Sequence, residues 1–151
     1  MRKVHVYLLL KLPAAFFCGV RVDHISAQCV RTRLRLRWIN QNPFRSLFWA
    51  VQGMAAELAS GLLVINEIKK NQVSMSMLLV GVQGRFTKKA RGQVHFTCEQ
   101  GQKVQEHVKK AIFSGEGEVF DLIAIGRDAH GDQVAEFCFN WSVKLRAASR
   151  V

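Results

Sequence analysis

The chain has 151 residues, 49% apolar and 22% charged, with only two prolines. That excludes a disordered or fibrous chain and fits one domain, residues 1–151, with a sizeable core. A net charge of +11 and a pI near 10.1 point to anionic partners: nucleic acid, acidic lipid surfaces or phosphorylated small molecules.

The chain opens with "MRKVHVYLLLKLPAAFFCG", which has the basic start and apolar run of a signal peptide. Lys11 interrupts that run and no A-x-A-like site follows, so residues 1–16 read instead as an N-terminal helix with Pro13 near its end. The four cysteines, Cys18, Cys29, Cys98 and Cys138, are scattered, with no CxxC or Cys/His ligand spacing. Zinc and redox motifs are therefore unsupported, and reduced, buried thiols in a cytoplasmic protein are the simplest account.

"GVRVDHISAQ" starts an extended region. "VRTRLRLRWI" then alternates strictly, with Arg31, Arg33, Arg35 and Arg37 on one face and Thr32, Leu34, Leu36 and Trp38 on the other. This is the period of a half-buried strand, and a turn near Ala27–Gln28 makes a hairpin of the pair. The arginine face fits either a nucleic-acid backbone or a solvated or dimer-facing strand. No aromatics interleave on it, so it offers bases no stacking platform.

"NQNPF" signals a turn, with Pro43 setting a helix start and Asn42 or Ser46 as cap. The spacing predicts a long helix over 44–70, ending at Lys69 and Lys70, where basic charge suits the dipole. From Leu47 to Ile65 the only polar side chains besides Trp49 are Gln52, Glu57 and Ser60. The stretch approaches membrane-spanning length, but its polar and small residues favour a helix enclosed by protein over a membrane span. Ala50, Gly53, Glu57 and Gly61 fall on one stripe, so small residues flank a lone carboxylate. Such a carboxylate is costly to bury unless it is paired, solvated or used. An ion pair with an arginine is the structural alternative to a catalytic role.

Beyond the helix the segments are strand-like. "VSMSMLLVGVQGRF" carries glycines that hint at a bulge, and "GQVHFTCE" alternates. "GQKVQEHVKKAIFSG" reads as a short helix or an irregular crossover. "EVFDLIAIGR" and "QVAEFCFNWSVKLR" flank the hairpin turn "DAHGD". The histidines are scattered, and none has a Ser or Cys partner readable from spacing. The order predicts an α+β domain whose antiparallel sheet wraps one long helix.

That order, with "GVRVDHIS", "NPF", Glu57 in the helix, "GRFTKKARGQV" and "DAHGDQVAEFCFNWSVKLR", resembles the hotdog-fold thioesterase superfamily. It is similar to the phenylacetyl-CoA-type thioesterases and their uncharacterised DUF4442-like relatives over roughly residues 17–146. The resemblance implies an acyl-CoA thioesterase working as a homodimer or homotetramer, with a coenzyme A thioester as substrate and no metal or other cofactor. It implies that Asn42 and Glu57 act together across a dimer interface, Glu57 as general base or nucleophile and Asn42 orienting water or substrate. It places Phe48, Ala50, Gly53 and Gly61 against the substrate, and Lys88, Lys89 and Arg91 near the coenzyme A phosphates. Many relatives have a His-Gly-Gly stretch in the first helical turn, where this chain has "SLFWA". A non-enzymatic acyl-CoA or lipid binder of the same fold is the alternative, and a basic nucleic-acid-binding module a third reading.

Overall fold

The computed structural model describes residues 2–146. Two short helices, α1 (Arg2–Lys11) and α2 (Pro13–Phe17), lead into the hairpin β1 (Arg21–Ile25) and β2 (Val30–Arg35). A single 3₁₀ turn (Trp38–Asn40) and a loop precede the central helix α3 (Trp49–Lys70). Then come β3 (Met75–Phe86), β4 (Gln93–Cys98), α4 (Gly101–Ser114), β5 (Glu118–Asp128) and β6 (Gln133–Leu145).

All strand pairs are antiparallel, in the order β1-β2-β4-β5-β6-β3. One face of this sheet holds α3, and the α+β hotdog architecture expected from the sequence is the one observed. The alternation in β2 sorts as its period requires: Val30, Thr32 and Leu34 are buried, and Arg31, Arg33 and Arg35 face out. Thr32 Oγ1 donates to the Ala55 carbonyl at 2.8 Å and so ties the strand to the helix. Phe96, Phe137, Phe139 and Leu122 fill the space between sheet and helix.

Three boundaries differ from expectation. The strand β2 stops at Arg35, and Trp38, expected on its buried face, lies in the 3₁₀ turn and is 85% exposed. The N-terminal segment is two helices, because a residue before proline is driven out of the α region. Leu12 sits at φ −134°, ψ 57°, and Pro13 begins α2. The central helix starts at Trp49 rather than residue 44. Asn42 does not cap it. Its Oδ1 accepts from the Phe44 and Ser46 amides at 3.0 and 3.2 Å, and that local turn delays the helix. The segment 101–114, left open between helix and crossover, is the helix α4, closed by Gly115 at φ 73°.

Among the described residues no helix is long and apolar enough to cross a membrane. The helix α3 is enclosed on most sides, as its composition predicts, but one flank stays open. Val51, Ala55, Ala59, Leu62 and Leu63 are buried, whereas Gly53, Met54 and Ile65 are half-buried and Glu57 is exposed.

Candidate active site

That open flank forms the floor of a cavity of about 510 Å³. Met54, Glu57, Leu58, Gly61 and Leu62 come from α3; Met77 and Trp141 come from β3 and β6. The opposite wall is the N-terminal pair of helices, through Tyr7, Lys11, Leu12 and Pro13. Glu57 is the one acidic side chain in this largely apolar groove. Among the described residues its carboxylate has no hydrogen-bond or ion-pair partner, so the arginine pair considered above does not form. Although solvent reaches it, the surrounding apolar walls weaken its hydration. This desolvation raises its pKa above the ordinary value of 4.5.

The wall formed by β6 is fastened to the central helix. Trp141 is buried, and its Nε1 donates to Ser60 Oγ at 3.1 Å. Ser60 in turn donates to the Glu57 carbonyl at 3.0 Å. A Cβ on Gly61 would stand 3.4 Å from the Trp141 ring, so glycine lets that ring lie against the helix. Gly53 makes a similar approach to Phe137, at 3.6 Å. Of the small-residue stripe, Gly61 lines the Glu57 groove, and Gly53 and Ala50 do not.

Asn42 lies elsewhere. It lines a second cavity of about 370 Å³ with Trp49, Gln52, Phe86, Lys88 and Lys89. From Trp49 to Glu57 the helix advances about 12 Å, so the two site residues expected to cooperate stand apart within one chain. Asn42 Oδ1 also accepts from Ser46 Oγ at 3.1 Å, so the carboxamide oxygen is engaged in its own turn. Phe48 is exposed and packs edge-on to Trp49. At the helix start Val51 and Gln52 donate to the Phe48 carbonyl. The Trp49 and Ala50 amides have no such acceptor among the described residues, and Trp49 lines this cavity.

Gln52 is a residue whose role the sequence does not show. It is buried, its Nε2 donates to the Leu47 carbonyl at 3.0 Å, and its Oε1 has no donor. The amide must face Leu47 with its nitrogen, so the oxygen is the orphan. A buried acceptor without a donor marks a place for water or a ligand N–H.

The basic residues divide. Lys88 Nζ lies 2.7 Å from both Asp128 and Asp132, clamping the β5–β6 turn. These hydrogen bonds hold the Lys88 pKa above its ordinary value, and Lys88 in turn holds the Asp128 carboxyl below its own. Its charge is already matched by two carboxylates. Lys89 reaches over the Phe44 ring, 5.7 Å from its centroid. Lys89 and Arg91 share a third cavity with Gln93 and His130.

The family model described as "Domain of unknown function (DUF4442)" matches residues 2–143. The chain belongs to the DUF4442 family. No curated protein matches it. Among solved structures, the DUF4442 chain is similar to PA5026 of Pseudomonas aeruginosa, a protein of unknown function described as a "Probable Thioesterase". That match has 18% identity and TM-score 0.81, and covers 97% of each chain. Thioesterase HI1161 of Haemophilus influenzae is 10% identical with TM-score 0.68, covering 97% of this chain and 92% of the other. A variant of thioesterase SAV0944 from Staphylococcus aureus is 14% identical with TM-score 0.63, covering 91% and 98%. At such identities the likeness is one of fold. It agrees with the hotdog resemblance of the sequence, and the family match agrees with the DUF4442-like branch.

Proposed function

We propose that this DUF4442 protein hydrolyses an acyl-CoA thioester at a site completed by a second copy of the chain. The observation that carries the reading is Glu57: an unpartnered carboxylate of raised pKa in an apolar groove sized for an acyl chain. A carboxylate with a raised pKa is a stronger base and is still ionised at neutral pH when the shift is modest. Lys11 lines the same groove, but among the described residues no cation comes within ion-pair distance of the carboxylate.

In this reading Glu57 removes a proton from water as the water oxygen attacks the thioester carbonyl. The carbonyl becomes an oxyanion, and open amides at a helix start suit it. When the intermediate collapses, the C–S bond breaks, and the proton held by Glu57 passes to the departing thiolate. Asn42 and Trp49 border a different cavity from Glu57 within one chain, so the reading needs two copies. The strand β3 supports that assembly. Among the described residues it is a sheet edge paired only with β6, and Leu78, Val80, Val82 and Phe86 on it are 49–63% exposed. A long apolar edge strand is a template for pairing with another chain. Lys89 and Arg91 remain available for coenzyme A phosphates. Four unpaired thiols, Cys18, Cys29, Cys98 and Cys138, suit a reducing cytoplasmic setting.

One feature favours the non-enzymatic binder as second reading. The first turn of α3 carries Phe48 and Trp49 where a His-Gly-Gly stretch would leave room for a thioester. Assay of an acyl-CoA panel with detection of free thiol separates the two. Release of coenzyme A supports hydrolysis. Saturable binding without release supports the binder.

A further inference from the structure

The sheet face turned away from α3 carries a cluster of arginines that the hydrolysis reading does not use. Arg21 pairs in register with Arg33 across the β1–β2 hairpin, and Arg35 follows on the same face of β2. Arg21, Arg33, Arg35 and Arg37 converge with Gly19 and Gln93 on a cavity of about 160 Å³. We propose that these four arginines form a recognition site for a phosphate or diphosphate group of a small-molecule ligand.

Three observations carry this assignment. The first is unbalanced charge. Among the described residues only Asp23 pairs with the cluster, at 3.0 Å from Arg33 Nε, and it also contacts His95 at 3.2 Å. Arg21, Arg35 and Arg37 have no carboxylate partner there. Burial lowers the Arg21 pKa, and the charges of Arg37 and Arg33 lower it further, the sign of cations crowded without a counter-ion.

The second is preorganisation. Arg21 Nη1 donates to the Phe16 and Val20 carbonyls at 2.8 and 2.7 Å, and its guanidinium lies 4.0 Å from the Phe16 ring centroid. Asn40, 1% exposed, joins the segments that frame the cavity. Its Oδ1 accepts from the Arg37 amide at 2.8 Å, and its Nδ2 donates to the Cys18 and Arg35 carbonyls at 2.9 Å each. Gly19, at φ 91°, lets the chain turn into β1 beside it. A buried, fully bonded asparagine thus fixes the backbone from which the mutually repelling Arg35 and Arg37 side chains project.

The third is size. The cavity is smaller than the roughly 300–1,000 Å³ of a drug-sized site, and converging guanidinium forks match phosphate oxygens. Convergence on one point, rather than a track along a strand, favours a compact anion over a nucleic-acid backbone. Gln93 also lines the cavity of Lys89 and Arg91, so the two basic regions adjoin.

This inference does not depend on thioester hydrolysis, and its test involves no turnover. Pyrophosphate, at constant ionic strength, is titrated against the full chain by calorimetry and by melting temperature. The parent is expected to bind saturably and melt several degrees higher. The Arg35→Gln/Arg37→Gln double variant is expected to fold at least as well, since repulsion is relieved, and to bind at least tenfold more weakly. Lys103→Gln/Lys109→Gln removes the same charge elsewhere and is expected to bind like the parent. Equal weakening in both double variants, or no binding by the parent, overturns the proposal. So does arginine-dependent binding of a single-stranded oligonucleotide that pyrophosphate cannot displace.

Discussion

Trp141 and Ser60 meet across the interface between sheet and central helix, with the indole N–H donating to the hydroxyl at 3.1 Å. Both residues are buried. Ser60→Ala keeps the volume nearly constant and strands the indole N–H. The expected cost is about 1–3 kcal/mol of stability, the scale for a buried donor left unsatisfied. Urea unfolding of the two proteins checks it. A cost near zero would mean that the Trp141 ring is placed by packing against Gly61 alone.

The legibility of the site follows from how local each signal is. The face of β2 was readable because strict alternation has one physical meaning, and Arg31, Arg33 and Arg35 do face out. The enclosed helix was readable from its near-continuous apolar run, but of the stripe Ala50, Gly53, Glu57 and Gly61 only Glu57 and Gly61 line the open groove. The start of α3 was not, because Pro43 carries the same signal in a turn as in a first helical turn. Only the bonds of Asn42 to Phe44 and Ser46 decide between them. Lys88 looked like a free cation, since its partners Asp128 and Asp132 lie 40 and 44 residues away. Asn40 and Gln52 were illegible for the same reason: a single amide carries no periodicity, and its importance lies in what the fold brings to it. The sequence shows an N-terminal helix but not its division at Leu12 into α1 and α2, and its place as a wall of the Glu57 groove is a tertiary fact.

The exposed edge β3 is expected to pair two copies. The parent should elute as a dimer or tetramer at micromolar concentration. Val82→Lys places a charge on that edge, where Val82 is 58% exposed, and should leave the protomer folded. Light scattering is expected to show a shift toward monomer in the variant. A monomeric parent would remove both the pairing and the shared site.

The basic residues are expected to separate into structural and binding groups. Lys88→Ala leaves Asp128 and Asp132 facing each other and should lower the melting temperature by a few degrees. The sign with pH follows from the shifts. Asp128 is depressed, so its share of stability is present at neutral pH and is lost as pH falls through its folded pKa. Lys88 is raised, so its share is lost only at high pH, as pH rises through its folded pKa. The variant's deficit should therefore be largest near neutrality and vanish in acid. Lys89→Ala with Arg91→Ala should leave melting unchanged and weaken coenzyme A binding about fivefold at low salt, the scale of two exposed ion contacts. Unchanged coenzyme A affinity would take these two residues out of the site.

Glu57→Gln tests the proposed chemistry and the groove together. The substitution keeps the shape and removes the base, so turnover of a competent acyl-CoA should fall by roughly 10²-fold or more. Stability should move the other way. Desolvation raises the folded pKa of Glu57, so its favourable share is present below the unfolded pKa and is lost as pH rises through the folded value. At neutral pH the ionised carboxylate is therefore a cost that glutamine lacks. The variant should melt at or above the parent at pH 7, and the difference should close toward pH 4, where the parent's carboxyl is protonated. Had Glu57 been held in a buried ion pair, the same change would strand its partner and lower stability by about 3–5 kcal/mol at neutral pH. Calorimetric melts across pH 4–8, run beside the thiol-release assay, read both quantities on one pair of proteins. A variant that melts lower at pH 7 and turns over like the parent would show that this carboxylate holds the fold and does no chemistry.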